Sequence, residues 1–213
     1  MAEDSKIGSE SSVRKHSRWV TTTFSATAVL FSAYSLWESR LKQSDLRVFV
    51  PAVIEYSSPY QNSNFEAIMI PITISNEGAR TGTVLSLDLD VTDPKTNQTK
   101  RFYAANFGRW TMERTRSGAY QPFAPIALAG YSSRTETVQF YTRGEEEQPP
   151  QVIREEQVYR FTMTVRDVAN DQRAPATISF ERELRHYDAR AFTAGTLWLY
   201  PKDWHTASAS AAP

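Results

Sequence analysis

The chain has 213 residues, with 24 Lys plus Arg against 24 Asp plus Glu, a formal net charge of zero, and no cysteine. Balanced charge removes the global field that would draw it to nucleic acid, so no nucleic-acid partner is expected. The lack of cysteine removes disulfides, thiolate metal sites and a Cys nucleophile, and the length suits one domain of ordinary size plus a tether.

Residues 1–18 form a polar, Ser-rich arm. Residues 19–37, WVTTTFSATAVLFSAYSLW, then hold no charge, Gly or Pro, while Arg14, Lys15 and Arg18 precede the run and Glu38, Arg40 and Lys42 follow it. At about 1.5 Å per residue the run just covers a hydrocarbon layer of about 30 Å, which predicts one transmembrane α-helix. Trp19 and Trp37 would sit at the two membrane interfaces, against the lipid bilayer. Ser and Thr fill seven of the nineteen positions, so a buried or interfacial helix is the alternative. The A-x-A at Ala26–Ala28 falls too early for signal cleavage, which favours an uncleaved signal anchor. Basic residues divide as Lys6, Arg14, Lys15 and Arg18 before the run against Arg40, Lys42 and Arg47 after it. With the short arm, this count favours a single-pass protein with a cytoplasmic N-terminus and a periplasmic domain.

Within the run, Thr21, Ser25, Ala28, Ser32 and Ser35 recur at spacings of four, three, four and three, placing small residues on one helix face. Such a face can pack against another transmembrane helix. Alternatively, the hydroxyls bond their own backbone four residues back.

After a connector at 38–46, the period changes to two. In 67–76 Ile68, Ile70, Ile72 and Ile74 alternate with Met69, Pro71, Thr73 and Ser75, a strand with one buried face. Pro71 marks an edge or a point where no ladder donor is needed. In 84–92 Leu85, Leu87, Leu89 and Val91 are expected to face inward and Ser86, Asp88 and Asp90 outward, with Asn76, Gly78 and Gly82 reversing the chain between the two strands. Further strands are expected at 47–56, 98–105, 135–142, 158–166 and 176–184. Seven alternating strands without helical patterning predict an all-β domain over 47–185, an antiparallel β-sandwich, with a small barrel as the alternative.

The order of charged arm, apolar anchor and a domain carrying I-x-I-x-N-x-G-x-x-x-G-x-V-x-x-L-x-L-x-V (Ile72 to Val91) resembles uncharacterised bacterial single-pass membrane proteins with an immunoglobulin-like β-sandwich domain. The stretch FAPIALAGYSS (Phe123 to Ser133), leading into Val138 and Phe140, fits the same pattern. The resemblance implies an immunoglobulin-like sandwich preceded by one transmembrane helix. It implies no catalytic residues.

Chemistry-bearing motifs are few. His16, His186 and His205 lack metal-ligand spacing, and no nucleotide loop, nucleophile elbow or metalloprotease motif is present. No enzyme activity, cofactor, metal or small-molecule substrate is therefore expected. Asp88, Asp90 and Asp93 could offer hard oxygens to calcium, but they read more simply as a strand's outer face and a turn. The loop 107–123 interleaves Phe107, Arg109, Trp110, Arg114, Arg116 and Tyr120, residue types that dominate binding hot spots, so it is the candidate partner contact. An inter-sheet crossover explains the same loop. Residues 186–204 hold Leu197, Trp198, Leu199 and Tyr200, too apolar for a free tail, and 205–213 read as disordered. The expected function is a non-enzymatic, membrane-anchored accessory or scaffold subunit that binds membrane protein subunits through its helix and domain. A tethered module for a soluble ligand or envelope component is the alternative.

Overall fold

A computed structural model describes residues 7–59, 65–108, 121–143, 151–168, 175–184 and 196–202. Helix α1 (Ile7–Leu36) continues into a π-helical turn at Trp37–Leu41. The strands are β1 (Leu46–Phe49), β2 (Ile54–Ser57), β3 (Ala67–Asn76), β4 (Gly82–Thr92), β5 (Thr99–Phe107), β6 (Gln121–Pro122), β7 (Ile126–Leu128), β8 (Ser133–Thr142), β9 (Val158–Asp167), β10 (Ala176–Leu184) and β11 (Thr196–Tyr200).

Around the molecule the antiparallel order is β5, β8, β3, β2, β11, β10, β9 and β4, and β4 pairs back onto β5 from Asp88↔Tyr103 to Thr92↔Thr99. The sheet therefore closes into an eight-stranded barrel. This overturns the immunoglobulin-like sandwich. Two facing sheets would leave strand edges unpaired, whereas β11 fills the place between β2 and β10 and the β4–β5 ladder seals the other seam. An eight-stranded barrel has an interior just wide enough for side chains to fill. Ile68, Ile70, Ile72 and Ile74 of β3 supply that interior, together with Leu87, Leu89, Phe102, Val138, Phe140, Phe161 and Met163 from the facing strands.

The expected strand over 47–56 is split. β1 pairs with β3 at Thr73–Asn76 and β2 pairs with it at Ala67–Met69. Pro71 falls in the interval between the two pairings, where its missing donor takes no bond from either piece. The guanidinium of Arg182, buried and thereby held below its usual pKa, fills this break by donating to the Pro51 carbonyl at 2.5 Å. Leu85 departs from the expected inward face. A bulge between Val84 and Ser86 gives the interior position to Val84 and leaves Leu85 exposed.

No helix among the described residues is long and apolar enough to cross a membrane. This overturns the transmembrane helix at 19–37, and with it the signal anchor and the single-pass localisation. Seven hydroxyl side chains dilute the apolar run, and the helix extends back through the charged arm to Ile7.

One end of the barrel is closed by a buried polar network. Glu66 and Lys100 pair at 2.6 Å with both side chains 0% exposed. Tyr56 donates to Glu66 Oε1 at 2.5 Å, and the Val152 amide donates to the same carboxylate at 3.2 Å. Burial, reinforced by the adjacent Glu66 charge, pushes the Tyr56 hydroxyl pKa well up, so it stays a donor. The segment around Val152 and Ile153 is thereby drawn across the barrel end as a plug, and the Tyr159 hydroxyl accepts from the amides of Arg154 and Glu155.

Removing one partner of a buried pair strands the other charge. Lys100→Met should cost about 3–5 kcal/mol in urea unfolding, and adding Glu66→Gln should recover part of that loss. A Lys100→Met protein within about 1 kcal/mol of the parent would show that the pair is not desolvated as described.

Candidate functional site

The most unusual surface is the helix. Trp19 is 75% exposed, Phe24 73% and Phe31 69%, and Val29, Leu30, Tyr34, Leu36 and Trp37 are also exposed. At 3.6 residues per turn these side chains are distributed around most of the helix rather than along one stripe. They leave only the face of Ser25, Ala28, Ser32 and Ser35 to small side chains, and so wide an apolar surface on a helix is normally buried. Thr23, Thr27 and Ser32 donate to the carbonyls of Trp19, Thr23 and Ala28 at 2.7, 2.9 and 2.8 Å. Their hydroxyls are satisfied within the helix, so dry contact would leave none of these three donors unpaired.

Of the small residues at helical spacing, Ser25, Ala28, Ser32 and Ser35 lie exposed on α1, while the side chain of Thr21 is outside the described residues. Ser32 takes the self-bonded alternative. Phe107 ends β5 with its ring 5.0 Å from that of Phe123. Arg109, Trp110, Arg114, Arg116 and Tyr120 lie outside the described residues. Asp93 serves a turn: it accepts from the Lys95 amide, Thr96 Oγ1 and Gln157 Nε2. Desolvation would raise its pKa, but these donors outweigh it and hold the carboxyl below its usual value. No group of three potential metal ligands occurs among the described residues.

The helix is held to the barrel by a clamp at its C-terminal end. Asn76, the next inward position after Ile74, is buried. Its Oδ1 accepts from the amides of Asp45 at 3.2 Å and Gly78 at 3.0 Å, and its Nδ2 donates to the carbonyls of Arg80 at 2.8 Å and Ala129 at 3.1 Å. One amide thus ties the connector, the β3–β4 turn and the β7–β8 turn together. The Lys42 carbonyl accepts from the amides of Ala79 and Arg80, and the Asp45 carbonyl from Glu77. The backbones lie so close that a Cβ on Gly78 would stand 1.8 Å from the Gln43 carbonyl oxygen, and one on Gly130 would stand 2.0 Å from that of Ala79.

Tyr131, with a left-handed φ of 53°, completes the clamp by donating its hydroxyl to the Glu38 carbonyl. Lys42 bonds Glu38 at 2.8 Å and lies 5.9 Å from the Tyr131 ring centroid. The hydrogen bond from Lys42 holds the Glu38 carboxyl below its ordinary pKa, and the same bond raises that of Lys42. This contact is present between the ordinary carboxylate and ammonium ranges. It is lost as pH falls through the lowered Glu38 value or rises through the raised Lys42 value. In the sequence Asn76 and Gly78 read as turn residues, and Tyr131 carries no chemical motif of its own. The N-E-G spacing and the Gly-Tyr pair at 130–131 were the available signals.

Gly78→Ala should force the connector off the turn while sparing the barrel, because the clash lies outside the core. Trypsin cleavage after Arg40, Lys42 or Arg47 in the native protein should accelerate by about tenfold or more, with the barrel's unfolding transition retained. Unchanged cleavage would mean that the clamp does not hold the helix.

No protein-family profile and no curated protein matches the chain. Among solved structures it is similar to the crystal structure of a Bordetella pertussis protein described as ApaA, at 13% identity over 76% of this chain and 97% of that one, with a TM-score of 0.33. At that level the likeness carries no argument about function.

Proposed function

We propose that this chain is a non-enzymatic accessory subunit of a protein complex, in which the barrel is the rigid body and α1 the element inserted among the helices of a protein partner. The observation that carries this reading is a rigidly clamped helix whose large apolar side chains are uncovered on several sides. A flexible tail could carry sticky residues by accident of composition. A helix fixed by Asn76, Gly78 and Tyr131 is presented in a set direction, and rigid presentation lowers the entropy lost on binding. Large apolar residues over about two thirds of the circumference suit a site between several partner helices better than a groove on one, since a single groove would leave much of that surface wet.

Replacing Phe24, Leu30 and Phe31 together by Ser removes side chains that each contribute about 1.5–3 kcal/mol when fully buried. The triple variant should bind its partner at least about a hundredfold more weakly, with the barrel's unfolding midpoint unchanged. The measurement is stoichiometric co-purification of the full chain with and without the substitutions, with quenching of Trp19 and Trp37 fluorescence as the report on shielding. A partner retained by the triple variant, or indoles that stay fully quenchable when the chain is bound to its partner, would overturn the reading.

A further inference from the structure

We propose that the fork in the barrel wall between β4 and β5 binds a small organic anion with an apolar portion. Below the fork the two strands are paired; above Asp88 and Tyr103 they part. There β4 carries its bulge at Leu85 and pairs with β7, while β5 carries a bulge between Ala104 and Asn106, pairs with β6, and keeps β8 on its other edge. Bulges on both sides of one seam re-aim the flanking side chains, and bulges are over-represented beside binding and active sites. The parting leaves a cleft of about 370 Å³. This volume suits a small molecule rather than a folded partner.

The lining divides by chemistry. Buried Leu87, a member of the barrel core, lines the cleft with Ala104, Tyr103 and Phe123. Asp88, Arg143 and Arg166 supply the polar part. Asp88 is bonded through Oδ1 by Arg143, while its Oδ2 lies 4.0 Å from Arg166 Nε. Asp88 thus holds Arg143 in place and leaves Arg166, 65% exposed, only loosely engaged. Asp90 and Arg101 stand opposite each other two register positions on, outside the lining, one charge of each sign. Among the described residues the lining of the cleft carries two guanidiniums, Arg143 and Arg166, against the one carboxylate of Asp88. One added anion balances the cluster. Planar, bidentate guanidinium recognition suits a carboxylate or a phosphate, and Tyr103 and Phe123 receive an aromatic or aliphatic body.

The test uses benzoate and phenyl phosphate, which carry one ring on two anions, with benzyl alcohol as the uncharged control, in backbone amide NMR titrations of the full chain. The expected result is saturable shifts centred on Ser86, Asp88, Tyr103 and Arg166 with at least one anion and none with the alcohol, the better anion naming the ligand class. Arg166→Gln, at an exposed position that leaves the fold intact, should weaken binding by about tenfold, as should high salt. Absence of saturable shifts at these amides with both anions up to about 10 mM would overturn the proposal. So would shifts centred elsewhere, or an affinity that Arg166→Gln leaves unchanged.

Discussion

The arrangement of helix and barrel depends on the buried side-chain amide of Asn76. It sits one step beyond the row of isoleucines that fills the barrel, where the interior ends and three chain segments converge. An apolar residue there would leave the Asp45 and Gly78 amides without their acceptor. An ionised carboxylate would lose the donor to Arg80 and Ala129. The amide serves both needs at once, and it does so because Gly78 and Gly130 let the connector and the neighbouring turn come within reach. The direction in which α1 leaves the barrel is therefore set by hydrogen-bond geometry rather than by hydrophobic contact.

Glu66, Lys100 and Tyr56 close the opposite end by the same logic. Between the two ends the interior is apolar, so polar groups mark where it begins and ends. This fixes register. A slip of one residue in β3 would turn its isoleucines outward, and a slip of two would carry Asn76 or its neighbours into an apolar layer where their bonds could not be made. Apolar side chains favour closure in general, while the buried polar groups at each end select one closure among several.

Much of the strand content was legible because alternation is local. β3, β4, β8, β9 and β10 lie where the period-two patterns at Ile68–Ile74, Leu87–Val91, Val138–Phe140 and 158–184 place them. Closure was not legible. Whether alternating strands form two sheets or one ring depends on which edges meet, and the strand that settles it, Thr196–Tyr200, is a short apolar run with no alternation to mark it. The bulge at Leu85 escaped for a related reason: Val84-Leu85 reads equally well in either register, and only the turn of β4 toward β7 decides which faces in. The helix was read from apolar length and flanking tryptophans. Hydropathy alone gave no account of the clamp, because Asn76, Gly78 and Tyr131 act through tertiary bonds across 31 to 93 positions of sequence. The fork was equally hidden, since Asp88, Arg143 and Arg166 come from three separated segments.

The clamp and the fork share β4. Gly82 lies against Ser44 and Leu46 at the clamp, and Ser86 lines the fork four residues on, a rise of about 13 Å along a strand. The Leu85 bulge lies between them. A ligand drawing Asp88 and Arg166 together would load β4 on one side of the bulge, while the connector packed against Gly82 loads it on the other. A bulge interrupts the β4–β9 ladder at that point, so the two segments of β4 are held by different neighbours. Were both proposed sites occupied, they would act on segments of β4 that the ladder does not join continuously.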